Sequence, residues 1–205
     1  MFYLWCWIMM GGDMIGQLSL WGHDIDKARE DAKKTGKLIL LFFHTEFCSS
    51  CTLTIEKTLP DVRIMERLSD RYIPQMSEVT AAGKDRLSKQ YSVYLTPTFI
   101  VTDGEGNEVH RWEGYWYPEE FLAQLVLAEG KAAMLKKDYD GAIKKFSTIK
   151  EKCPDTEAAP EALYDLGVSI YNKEGNEEGM RAIFNELHSR YPDSSWSREA
   201  SAWRR

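Results

Sequence analysis

Cys48 and Cys51, separated only by Ser49 and Ser50, are the residues of this chain best suited to chemistry. They follow Leu38 to Phe43, six consecutive apolar residues that read as a strand buried on both faces. From Thr52 the spacing turns helical, with Leu53, Ile55 and Leu59 set among polar residues. The pair therefore stands where a helix begins just after a strand. Backbone N–H groups there lack intrahelical partners, and the helix dipole adds partial positive charge. Both favour a thiolate, and cysteines so placed have pKa values of roughly 3.5–7.5 against about 8.5 when free. Cys48 is the expected nucleophile and Cys51 the resolving thiol. His44 reads either as a satisfied histidine at a strand end or as a proton relay. Glu46 reads either as a solvated carboxylate or as a tuner of the Cys48 thiolate.

Other chemistries fit poorly. A structural zinc needs four ligands, and one Cys-x-x-Cys with scattered His23, His44, His110 and His188 does not supply them. No metal and no other cofactor is expected. The net charge of −6 argues against nucleic acid as a partner, because phosphate binding needs a basic face. An apolar fraction of 43% and a charged fraction of 28% are those of an ordinary soluble globular protein. Met1 to Met10 is apolar but too short to span a bilayer, and it lacks the basic start and cleavage site of a secretory signal. No transmembrane segment is expected. Residues 1–16 read either as the product of a mis-assigned start or as the remnant of an export signal. The expected compartment is the cytoplasm, or the periplasm in the second case. Cys6 receives no role, and Cys153 reads as a small buried hydrophobe.

The elements that must position the pair follow in order. Gln17 to Trp21 is a short strand or an irregular lead-in. Asp24 to Thr35 is a helix with Ile25, Ala28 and Ala32 on one face, ended by Gly36. After the central strand, the Cys-x-x-Cys helix should run from Ser49 to Thr58, where Pro60 interrupts it. Val62 to Ser69 is a short helix, Tyr72 to Val79 a strand, and Asp85 to Tyr91 another short helix. Val93 to Thr102 is a strand entered through Thr96-Pro97. Asp103-Gly-Glu-Gly-Asn107 supplies a hairpin turn, and Glu108 to Trp112 is the returning strand. Pro118 opens a helix with Phe121, Leu122, Leu125 and Val126 as its buried stripe.

This order of elements resembles the thioredoxin fold over residues 17–128. Phe47 stands where that family has an aromatic residue before its Cys-x-x-Cys, Thr96-Pro97 where it has its cis-proline, and Gly114 where it has a glycine after the last strand. Lys37 to Cys51, Thr58-Leu-Pro-Asp-Val62 and Val79-Thr80 are similar to two groups within it. These are the C-terminal domain of membrane thiol:disulfide interchange reductases and the related small thioredoxin-like proteins. The resemblance implies that Pro97 is cis and lies against the two cysteines. It also implies that the Thr96 backbone pairs with an extended substrate segment. Phe47 packs either on substrate or over the helix start. Two departures stand out. Thioredoxins carry a buried Asp six residues before the first cysteine, and here that position is Phe42. The usual Gly-Pro between the cysteines is Ser49-Ser50.

The second half, 129–205, is helical and repetitive. Gly141, Phe146, Ile149 and Pro154 recur as Gly179, Phe184, Leu187 and Pro192, and Gly130 and Gly167 hold like places in the preceding helices. The pattern resembles tetratricopeptide repeats, whose period is about 34. Asp193 to Trp203 would begin a further unit. Nothing but Gly130 interrupts Pro118 to Lys137, so one helix of about 20 residues, roughly 30 Å long, should serve both halves. The two halves would then form a rigid unit.

Together these features predict an α/β thioredoxin-like domain followed by an all-α repeat module. The expected activity is thiol:disulfide exchange through Cys48 and Cys51, with Phe47, Thr96 and Pro97 binding substrate. The expected partners are protein disulfides or a redox partner protein, with a peptide or protein docked on the repeats. The alternative is a non-catalytic or redox-gated scaffold that acts through the repeats.

Overall fold

The apolar run becomes the strand on which the first half of the chain is built. In the computed structural model the described residues are 19–79, 86–175 and 177–203. The expectations for residues 1–16 and the export signal, for Gln17 and Leu18, for Thr80 and for Asp85 fall outside them. The chain divides into two compact units, Met1–Pro118 and Glu119–Arg205.

In the first unit, α1 (Ile25–Thr35) begins where the Asp24 carboxylate accepts the Lys27 N–H. It ends at Gly36, whose φ of +73° suits a residue without a Cβ. Strand β1 (Leu38–His44) follows, buried from Leu38 through Phe43. Alternation divides its side chains between two faces. Ile39, Leu41 and Phe43 pack with Ala28 and Ala32 of α1. Phe42 points to the other face and stacks on Phe99. Next come α2 (Ser49–Leu53), a π-helical turn over Thr54–Thr58, α3 (Val62–Arg71), β2 (Tyr72–Glu78) and α4 (Arg86–Gln90). Strands β3 (Thr98–Thr102) and β4 (Glu108–Glu113) complete a mixed sheet of order β2-β1-β3-β4. β1 runs parallel to β2 and antiparallel to β3, and β4 is antiparallel to β3.

Three expectations change in detail. The helix predicted over Ser49 to Thr58 keeps its length but widens at Thr54, where the Leu59 N–H reaches the Thr54 carbonyl. The strand predicted from Val93 starts only at Thr98. Val93 N–H turns back to Ser88, and the Thr98 hydroxyl donates to the Leu95 carbonyl, so Val93–Pro97 is held in turns. In the lead-in, pairing falls on Gly22, which bonds to both Pro74 and Met76 of β2.

The second unit is helical: α5 (Pro118–Leu135), α6 (Tyr139–Lys152), α7 (Ala158–Glu174), α8 (Glu177–Arg190) and α9 (Ser195–Ala200), then a 3₁₀ turn to Trp203. Helix α5 passes through Gly130 without a break and ends at Leu135, two residues short of the expected Lys137, which takes φ +60°. The recurring glycines have a steric cause. A Cβ on Gly130 would lie 2.3 Å from Phe146, and one on Gly167 would lie 2.6 Å from Phe184. Each glycine is thus a notch for the phenylalanine of the next helix, both rings being buried. The first ring joins the core of Val126, Leu127, Ile149 and Ala162, the second that of Leu163, Met180 and Leu187. Ion pairs tie helix to helix around these cores, Lys145 to Glu129 and Lys131 to Glu161. Burial pushes the nearby Asp165 carboxyl up to about 7, against the pull of Lys131.

Alanine normally improves a helix-interior glycine by about 1 kcal/mol. Gly130→Ala should instead destabilise the full chain by about 1–3 kcal/mol through overpacking, and Phe146→Leu added to it should recover part of the loss. Urea denaturation checks this, and a Gly130→Ala chain more stable than the parent would contradict it.

Candidate functional site

The loop from His44 to Phe47 carries the chain from β1 to Cys48, the residue that caps α2. The Cys51 N–H donates to the Cys48 sulfur at 3.1 Å, and the Thr52 N–H donates to the Cys48 carbonyl. The two sulfurs are joined in a disulfide. Cys51 is 2% exposed, whereas Cys48 is half-buried and open to an attacking or leaving sulfur.

A second loop lies against this disulfide. The Thr96–Pro97 peptide is cis, and the Thr96 carbonyl oxygen is 3.5 Å from the Cys48 sulfur. A disulfide sulfur has no proton to give, so in this state the approach is a contact. In the dithiol state the same geometry suits a weak S–H···O bond. The Thr45 and Thr96 hydroxyls are 3.3 Å apart and link the two loops.

A third segment closes the group. The Gly114 N–H donates to the Pro97 carbonyl at 2.8 Å, and Gly114 takes φ +85°. Two residues on, the Trp116 carbonyl accepts from the buried Thr58 hydroxyl at 2.6 Å. Thr58 belongs to the π-helical turn, and such turns recur at functional sites. The Trp116 indole N–H donates to the Glu113 carbonyl, which fixes the segment internally.

The expected site residues sort as follows. Cys48, Cys51, Thr96 and Pro97 come together, with Pro97 buried and Thr96 half-buried. Phe47 is 93% exposed, so it does not cover the helix start. Glu46 is exposed. His44 is half-buried, its ring 5.4 Å from that of Phe42. Burial lowers its pKa; Glu78, its partner in the β1–β2 register, opposes the shift and His23 adds to it. Phe42 is fully buried and stacks on Phe99 with ring centres 4.6 Å apart, and Phe99 stacks in turn on Trp112 at 5.3 Å. The position that holds a carboxylate in thioredoxins is here one rung of an aromatic layer. Sequence reasoning missed Thr45, Thr58, Tyr94, Leu95 and Trp116. Tyr94 and Leu95 left a signal, two large apolar residues directly before an X-Pro turn.

The thioredoxin-like domain family matches residues 25–129, half of the chain. The chain belongs to that family. Residues 161–194 also match the tetratricopeptide repeat family. The thiol:disulfide interchange protein DsbD of Ralstonia nicotianae is 35% identical over 112 residues, which are 53% of this chain and 18% of that protein. The chain thus spans less than a fifth of that curated relative. Among solved structures, a thioredoxin-fold protein from Helicobacter pylori is 20% identical with a TM-score of 0.51, covering 69% of this chain and 97% of its own. A thioredoxin from Thermus thermophilus is 28% identical with a TM-score of 0.45, covering 51% of this chain and 83% of its own.

Because burial holds the His44 pKa below the ordinary histidine value of about 6.5, the folded chain binds fewer protons there than the unfolded one. Stability therefore rises as pH climbs through the folded pKa toward about 6.5 and is lost on acidification. Replacing His44 by Gln should shrink the loss of stability between about pH 7 and pH 5. Denaturation midpoints at the two pH values check this, and an unchanged loss would contradict it.

Proposed function

We propose that this chain is a thiol:disulfide oxidoreductase that works through Cys48 and Cys51. The observation that carries the reading is the placement of the half-buried Cys48 sulfur. It accepts the Cys51 N–H and lies against the Thr96 carbonyl beside Pro97. The same N–H would stabilise a Cys48 thiolate once the disulfide is reduced. The interchange activity in the name of the Ralstonia nicotianae relative supports the reading.

In the reducing direction, the Cys48 thiolate attacks one sulfur of a substrate disulfide. That bond breaks, the other substrate sulfur leaves as a thiolate and takes a proton, and a mixed disulfide forms. Cys51, deprotonated, then attacks the Cys48 sulfur and expels the second substrate sulfur. The substrate gains two electrons and the protein holds the Cys48–Cys51 bond. A thiol or dithiol reductant returns it to the dithiol state. Phe47, Thr96 and Pro97 would hold the substrate segment, with the Thr96 backbone pairing to it as an added strand. His44, kept toward its neutral form by burial, can take up a proton near the site, and Glu46 would tune the Cys48 thiolate. The repeats would dock a redox partner or substrate protein and raise its effective concentration at the disulfide.

Insulin reduction driven by dithiothreitol tests the mechanism. Cys48→Ser should abolish turnover. Cys51→Ser should form the mixed disulfide and fail to release it, so that a covalent adduct accumulates on a non-reducing gel. Unchanged turnover in both variants would contradict the reading and leave the scaffold alternative.

A further inference from the structure

Among the described residues, four of the nine exposed large apolar side chains fall on the three segments around the disulfide. They are Phe47 (93% exposed), Tyr94 (88%), Leu95 (62%) and Tyr117 (69%). Phe47 directly precedes Cys48, and Leu95 directly precedes Thr96, whose carbonyl touches the Cys48 sulfur. Tyr117 follows Trp116, whose carbonyl is anchored by Thr58, and its ring packs edge-on against Tyr115 at 5.3 Å. Apolar side chains gathered in this way around a reactive group mark a contact surface.

The charge on the same segments has one sign. Across residues 45–52, 92–98 and 113–117 there is no Lys or Arg, and the carboxylates are Glu46 and Glu113. Both are exposed, and neither forms a salt bridge among the described residues. Arg111, bound to Glu108, is the cation whose field reaches Glu113, and Glu46 carries the rest of the negative charge. Carboxylates beside exposed rings attract a cationic partner and repel an anionic one. The rings add a second attraction, since Lys and Arg bind over aromatic faces.

We propose that this rim selects extended polypeptide disulfides in which the reactive cysteine is flanked by apolar or aromatic residues and by Lys or Arg. The proposal rests on the exchange chemistry given above and names the substrate class of that site. Phe47, Tyr94, Leu95 and Tyr117 would take the apolar flank. Glu46 and Glu113 would face the basic residues and speed encounter.

The test uses the reduced full chain and three disulfide peptides with the same aromatic flank, carrying Lys/Arg, Ser or Asp/Glu outside it. Hydroxyethyl disulfide, small and uncharged, reports the exchange chemistry alone. At low salt the basic peptide should react about tenfold faster than the acidic one, and the ratio should fall toward one as salt screens the charges. The paired variant Glu46→Gln/Glu113→Gln should lower the ratio at low salt at least about threefold. Because Glu46 also stands beside the thiol, the ratio within each variant is what is read. Hydroxyethyl disulfide consumed with no preference among the peptides would overturn the selectivity and leave the exchange reading intact. Failure to consume hydroxyethyl disulfide would overturn both.

Discussion

The site depends on keeping three separate loops at one end of the strands of a four-stranded sheet in register with one another. Contacts to three backbone carbonyls do this. The Pro97 carbonyl takes the Gly114 N–H, the Trp116 carbonyl takes the Thr58 hydroxyl, and the Thr96 carbonyl lies against the Cys48 sulfur. Each contact ends on a main-chain carbonyl, so the backbone of these segments is tied to the elements that carry the disulfide. Buried carbonyls require partners, and satisfying them is what brings sequence positions near 48, 97 and 115 together. The apolar side chains left over on these loops have no interior to enter. They remain in solvent beside the half-buried sulfur.

Much of this was legible in the sequence because it is written in local signals. The run from Leu38 to Phe43 has the length and apolarity of a doubly covered strand. Asp24 and Gly36 are capping residues of the kinds their positions require. Cys48 at the start of α2 and the cis-proline at Thr96–Pro97 lie where the family resemblance put them. The widened turn at Thr54–Thr58 left no trace, since a π-helical turn has nearly the composition of the α-helix it interrupts. The late start of β3 was hidden for a related reason. Val93 is apolar and buried like a strand residue, but its N–H is used by the preceding helix. The role of Thr58 depends on a partner 58 residues away, and no local pattern encodes that.

In the second unit the glycines are the informative residues. Gly130 and Gly167 sit inside helices, where glycine is otherwise unfavourable, and both are kept open by a phenylalanine ring from a neighbouring helix. The repeat spacing seen in the sequence is the spacing of these notches and rings. The aromatic layer Phe42–Phe99–Trp112 plays a comparable part in the first unit, crossing three strands in register. It fills with rings the place where a buried carboxylate stands in thioredoxins. Any proton leaving Cys51 must therefore be taken by something other than an acid at position 42.

A Cys48–Cys51 bond that belongs to a working couple, as proposed, differs from a structural staple in its reduction potential. Equilibrating the full chain in glutathione redox buffers and quantifying the dithiol by alkylation measures its reduction potential directly. The account predicts a reversible two-electron transition between about −270 and −120 mV, the range of exchange catalysts. A bond that stays oxidised below about −300 mV, as structural disulfides do, would contradict it.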